Sequence, residues 1–337
     1  MHGFFSGRET VREILERRRR ETAERVKELH ALLDAADKLC TDKACVYVTG
    51  SFGRRETSQY SDLDLFIAGY GTSEKPHLSR LDEILVKADL IEATRKQKIP
   101  EFSGDGAYLK HYTVAELLQS LGTPHDDVRN TFTARLLLLL ESGPLIGAAV
   151  YKRITDDVIA EYWGDYEDHK NDFIPAFLAN DILRMWRTFC VNYEARTERE
   201  PEQERAKRRL MNYKLKHSRL LTCYSALLYL LAVFSKAKTV SPLDAAAMIS
   251  LTPTQRLEWM SSQPELSAAH AKIGELLDRY EQFLENTEVP KEELMSRFLD
   301  RERRKEYGES AYRFGDLVWD VLDIVGNRNR FHRLLIV

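Results

Sequence analysis

Two aspartates one residue apart, Asp62 and Asp64, sit in the run "SDLDLFIA", whose other residues read as an apolar strand. Successive strand side chains point to opposite faces, so Asp62, Asp64 and Phe66 share one face and Leu63, Leu65 and Ile67 the other. The leucines can enter a core, while the carboxylates lie about 6–7 Å apart along the strand. Like charges so placed repel unless a cation sits between them. Mg²⁺, or Mn²⁺ in its place, suits that gap, since such an ion takes one or two carboxylates and leaves its other positions to phosphate and water. Two such ions about 3.5–4 Å apart clamp an in-line phosphoryl displacement. The chemistry indicated is metal-assisted transfer on a phosphorylated substrate.

The elements upstream supply a place for the phosphates. "ACVYVTG" reads as a strand and turn, and "GSFGRRE" opens a short helix after it. Gly50 lets the backbone turn closely, and Ser51 offers a hydroxyl and free N–H groups where the helix begins. Gly53 keeps the approach open, and Arg54 or Arg55 can neutralise a triphosphate. Gly-Ser alone carries no information, and neither does Asp-x-Asp. A strand, then Gly-Ser, then an Asp-x-Asp strand eleven residues after the serine is much rarer.

With Gly50-Ser51 and Asp62-x-Asp64 in this order, the sequence resembles the DNA polymerase β-like nucleotidyltransferase superfamily. "GSFGRRE…SDLDL" looks most like the uridylyltransferase and adenylyltransferase branch of nitrogen regulators, whose motif would take in Arg54 and Glu56. The motif covers about 20 residues, with a looser likeness over about 100 through "GDGAYLKHY" and "NTFTARLLLLLESGPLIG". The resemblance implies Mg-dependent transfer of an NMP group from ATP or UTP, with release of pyrophosphate, to a protein or small-molecule acceptor. It implies Asp62 and Asp64 as metal ligands and catalytic groups, with a third carboxylate on a neighbouring strand. Asp105 is the candidate for that role, with Glu101 and Glu92 as alternatives. Synthesis of a nucleotide second messenger and a non-catalytic nucleotide-sensing module are the rival readings on the same fold. Nothing follows that resembles the phosphodiesterase or ligand-sensing modules of the nitrogen regulator, and "PHDDV" reads as a helix N-terminus.

Composition fits this reading. The 337 residues are 43% apolar and 31% charged, as in a folded soluble protein. A net charge of −3 argues against nucleic acid as partner and against an RNA-terminal transferase. Four cysteines without metal-type spacing read as reduced thiols in a cytoplasmic protein. "LLTCYSALLYLLAVF" is too short to span a bilayer and reads as a buried helix. The expected fold class is α/β: a small mixed-sheet core with an N-terminal helix, then an all-helical domain. The divisions expected are a helical segment at 1–40, the catalytic domain at 41–150 and a helical domain at 151–337.

Residues 8–39 carry helical apolar spacing, with "RRRR" at 17–20 as a solvated face balanced by Glu21 and Glu24. Thr113 and Glu116 form a capping box, and Thr123 with Pro124 marks the start of a helix through "ARLLLLLES". In polymerase-β-like transferases a helical domain closes the nucleotide cleft. The resemblance therefore makes Lys214 and Arg219, with Lys216 and Ser218, candidates for nucleotide contacts. The same applies to Asn180, Asp181, Arg184 and Arg187, although Asp181 pairing with Arg184 is an equal alternative. The acceptor and the oligomeric state have no signal in the sequence.

Overall fold

The computed structural model describes residues 12–100, 102, 109–194 and 201–337. Two helices come first, α1 (Glu13–Ala31) and α2 (Asp34–Cys40). The spacing over 8–39 predicts one helix, but the chain bends at Leu32 and Leu33. Leu15 packs in the core shared with the C-terminal half, whereas Leu33, Ala36 and Cys40 pack on the sheet. The bend lets one segment serve both. The arginine run is a solvated face only in part: Arg20 is exposed and Arg17 lies 3.6 Å from Glu21. Arg18 is buried, donating to the Leu284 carbonyl, while Arg17 pairs with Glu288 at 2.6 Å and Arg19 with Glu258 at 2.7 Å.

Strand β1 (Ala44–Thr49) is buried along its whole length, as an apolar run covered on both faces should be. It leads into the short helix α3 (Gly50–Gly53), and the chain returns as β2 (Asp64–Gly69), antiparallel, with Thr49 opposite Asp64. Then come α4 (Arg80–Lys96), β3 (His111–Thr113) parallel to β2, α5 (Val114–Gln119), α6 (His125–Val128), α7 (Thr131–Leu140) and β4 (Gly143–Ile146) antiparallel to β1. The sheet order is β3-β2-β1-β4. The Thr113–Glu116 capping box forms as the sequence predicts. Thr123 does not cap; its hydroxyl donates to the Ser120 carbonyl, and the single helix expected here breaks in two at the left-handed Asn130.

The sheet separates two cores. Val46, Val48, Leu63, Leu65 and Ile67 pack towards α2 and α4. Tyr47, Phe66 and Ala68 face the other way, with the Tyr47 and Phe66 rings stacked at 5.4 Å. Period-two alternation therefore aims Asp64 at the face that the C-terminal half covers.

That half contains no strand among the described residues: α8 (Ala148–Tyr162), α9 (Ala176–Glu194), α10 (Glu202–Lys214), α11 (Leu220–Ala237), α12 (Pro242–Ser250), α13 (Pro253–Ser261), α14 (Ser267–Asn286), α15 (Lys291–Leu299), α16 (Arg301–Gly326) and α17 (Arg330–Ile336). Capping boxes at Ser241 and Thr252 start α12 and α13. A π turn, Leu215–Arg219, joins α10 to α11 without a break. The joined helix is long and apolar enough to cross a membrane, but 78% of its apolar window is buried inside the fold. Cys40, Cys45 and Cys223 are buried and free, and Cys190 is half-buried.

Candidate functional site

The turn after β1 depends on its glycines. Gly50 has φ +62°, and a Cβ there would stand 2.7 Å from Asp64 Oδ2. A Cβ on Gly53 would lie 1.9 Å from the Glu141 carbonyl oxygen. The left-handed backbone and the missing side chain at Gly50 together leave the Asp64 carboxylate uncovered.

Asp62 lies two residues before β2, and Asp64 is its first residue. Both are exposed, and among the described residues neither carboxylate has a hydrogen-bond or ion-pair partner. Asp64 is open to water yet crowded by protein, and its pKa is raised, first by desolvation and next by the charge of Asp62. Two neighbouring carboxylates without a cation of their own, beneath a turn that leaves one of them bare, fit a hard divalent ion. Among the described residues no group of three or more His, Cys, Asp or Glu is placed to hold a metal. Asp105 and Glu101 lie outside the described residues. Glu92 is on the solvent face of α4, paired with Lys96 at 2.6 Å, so it does not join the aspartates.

The structure gives Arg54 a different task from the phosphate contact expected of it. It is buried between Glu56 and Glu141, donating Nη1 to Glu141 Oε2 at 2.7 Å, and those carboxylates raise its pKa against the opposing effect of burial. Glu56 also accepts from the Tyr280 hydroxyl, at 2.8 Å and 2.9 Å to its two oxygens. The "GRRE" run thus ties the turn to α14. Arg55 is exposed at φ +58° and Ser51 is half-buried; neither side chain is bonded among the described residues.

Glu141 is the residue that sequence reasoning missed. It is buried at the end of α7, and its Oε1 accepts from the Gly50 N–H at 3.2 Å. Its Oε2 also accepts from the Thr222 hydroxyl at 2.6 Å, and Arg219 closes the group from the helical side. Burial works to raise its pKa, but Arg219, Arg54 and Thr222 together hold it below the usual range. The available signal was a single acid ending the run "LLLLLE", where the preceding leucines are all buried.

Two candidates from the helical half do reach the site. Arg219, besides pairing with Glu141, lowers the pKa of Asp64, so its charge is felt there. Lys214 is exposed but crowded: desolvation lowers its pKa and Asp62 opposes that shift. Five residues advance an α-helix by about 500°, which would set Lys214 and Arg219 on different sides. The wider π turn between them reduces that divergence. Lys216 instead covers the Tyr312 ring at 4.2 Å, and the Ser218 hydroxyl donates to the Lys214 carbonyl at 2.8 Å.

The α9 candidates lie elsewhere. Asn180, Arg184 and Arg187 line a separate cleft of about 380 Å³ against Leu334, Leu335 and Val337. Asp181 accepts from the Tyr162 hydroxyl at 2.7 Å and lies 3.5 Å from Arg184, so its structural alternative is the one observed. Asp126 of "PHDDV" is buried on Arg135, 2.5 Å away, which leaves it a packing role.

Comparison with known family models, curated proteins and solved structures gives no match.

Proposed function

We propose that this protein is a Mg-dependent nucleotidyltransferase that moves an NMP group from ATP or UTP to a protein or small-molecule acceptor. The observation that carries this reading is the Asp62–Asp64 pair, bonded to no residue described and left bare by the missing Gly50 side chain. A bound divalent ion would be held by these two carboxylates and would neutralise charge on the triphosphate. The Ser51 hydroxyl is free to donate to a phosphate oxygen, and Lys214, coupled in charge to Asp62, and Arg55, in the same turn as Ser51, have no ion pair among the described residues. Arg219 is the cation held by Glu141 beside Asp64.

In the reaction, the acceptor's nucleophilic oxygen or nitrogen bonds to the α-phosphorus while the bond to the pyrophosphate oxygen breaks. The acceptor's proton passes to a carboxylate, for which Asp105 is the candidate. Positioning and charge stabilisation supply most of the catalysis, with no covalent intermediate on the protein. The test is incubation with each α-labelled NTP and Mg²⁺, with and without cell extract. Label on protein or on a small molecule supports the proposal, while a cyclic or oligomeric nucleotide product marks a second-messenger synthase. Tight Mg-NTP binding without turnover under every condition would make the protein a sensing module.

A further inference from the structure

Helix α4 is apolar on two opposite faces. Val86, Leu90 and Ala93 are buried against the sheet. On the outer side Leu81 is 75% exposed, Ile84 and Leu85 53% each and Ile91 37%, with Ala88 exposed between them. Isolated exposed leucines are ordinary, but a contiguous apolar stripe along three turns of one helix marks an interaction surface. Nothing in the proposed chemistry uses it.

Apart from Leu85, whose counterpart is Lys87, the stripe reads the same in both directions. Leu81, Ile84, Ala88 and Ile91 are spaced three, four and three residues apart. An identical helix laid antiparallel across it therefore sets Leu81 opposite Ile91 and Ile84 opposite Ala88. The same pairing sets Arg80 opposite Glu92. Arg80 is exposed with no ion pair among the described residues, and Glu92 is exposed with Lys96 as its partner. Opposite charges thus meet at both ends of the stripe, and antiparallel helix dipoles oppose each other favourably. We propose that this face is the self-association surface of the protein, pairing α4 with α4 of a second copy about a two-fold axis. A C₂ contact requires a patch complementary to itself, which this stripe is. A helix of this length is about 25 Å long, so the contact falls at the small end of the range for stable interfaces. The dimer exchanges with monomer, and its share of the protein rises with concentration.

Sedimentation velocity on the full chain over a concentration series tests this. The wild type should pass from monomer to dimer, and Ile84→Glu should weaken association at least tenfold with its melting temperature unchanged. Arg80→Glu and Glu92→Arg should each weaken it several-fold, and the double variant should recover it. A wild type that stays monomeric up to concentrations on the order of 100 μM overturns the proposal. So does a dimer indifferent to Ile84→Glu, a double variant that fails to recover, or a monomer that uses this face only for a different protein.

Discussion

Asp64 carries a charge that Arg219 and Arg54 balance only in part, and the consequences can be measured without any substrate. Because its pKa is raised in the folded protein, ionising it opposes folding. Its favourable contribution is present below the ordinary aspartate value and disappears as pH rises through the raised one. Asp64→Asn should therefore raise the melting temperature of metal-free protein at neutral pH while abolishing the proposed nucleotidyl transfer. Calorimetry with EDTA, set beside the labelled-NTP assay, reads both. The proposed Mg-nucleotide binding needs the carboxylate ionised, so affinity should fall with acidification through a midpoint above the usual 3.8 of an aspartate. Asp62→Asn should move that midpoint downward, which binding titrations across pH will show. Lys214, unpaired and exposed, predicts a simpler result: Lys214→Ala should weaken Mg-ATP binding with no loss of thermal stability.

Between elements, Glu141 joins the end of α7, the turn at Gly50 and the start of α11 in one buried group. Removing one member of such a group leaves other charges stranded, at a cost on the order of 3 kcal/mol. Glu141→Gln should lose about that in urea unfolding. Its lowered pKa stabilises the fold above the ordinary glutamate value, and that stabilisation fades as pH falls through the lowered one, so the variant should also be less acid-sensitive than wild type. The elements differ in how plainly the sequence announced them. Strand β1, the turn at Gly50 and the capped helices follow from local apolar runs, glycines and caps, whose physics is short-range. Strand β4 was not foreseen because "GPLI" is four residues long and contains Gly and Pro; its pairing with β1 makes it a strand. Glu141, Arg54 and the arginines of α1 were misread for the same reason. Their long-range partners lie 33 to 271 residues away in sequence, beside the local pairs Arg54–Glu56, Arg17–Glu21 and Arg19–Glu16, and no local pattern reports a partner at that distance.

Across the whole molecule, one core runs from Leu15 to Leu335 and takes in Cys45, Tyr47 and Phe66 of the sheet together with most of α11. The Glu56–Tyr280 bonds and the α1 arginines add polar ties across the same boundary. Heating should accordingly give a single calorimetric transition, and a fragment ending at residue 150 should not fold cooperatively, since its sheet face would lose its cover. The buried thiols turn this continuity into a kinetic observable. Cys45 and Cys223 sit on opposite sides of the boundary within that core, and burial pushes the pKa of both upward. An alkylating reagent attacks thiolates it can reach, so each cysteine stays silent until the structure around it opens. Half-buried Cys190 should react first. Cys45 and Cys223 should then be modified at one common rate, two clocks set running by a single event, and mass spectrometry of timed samples would read them side by side.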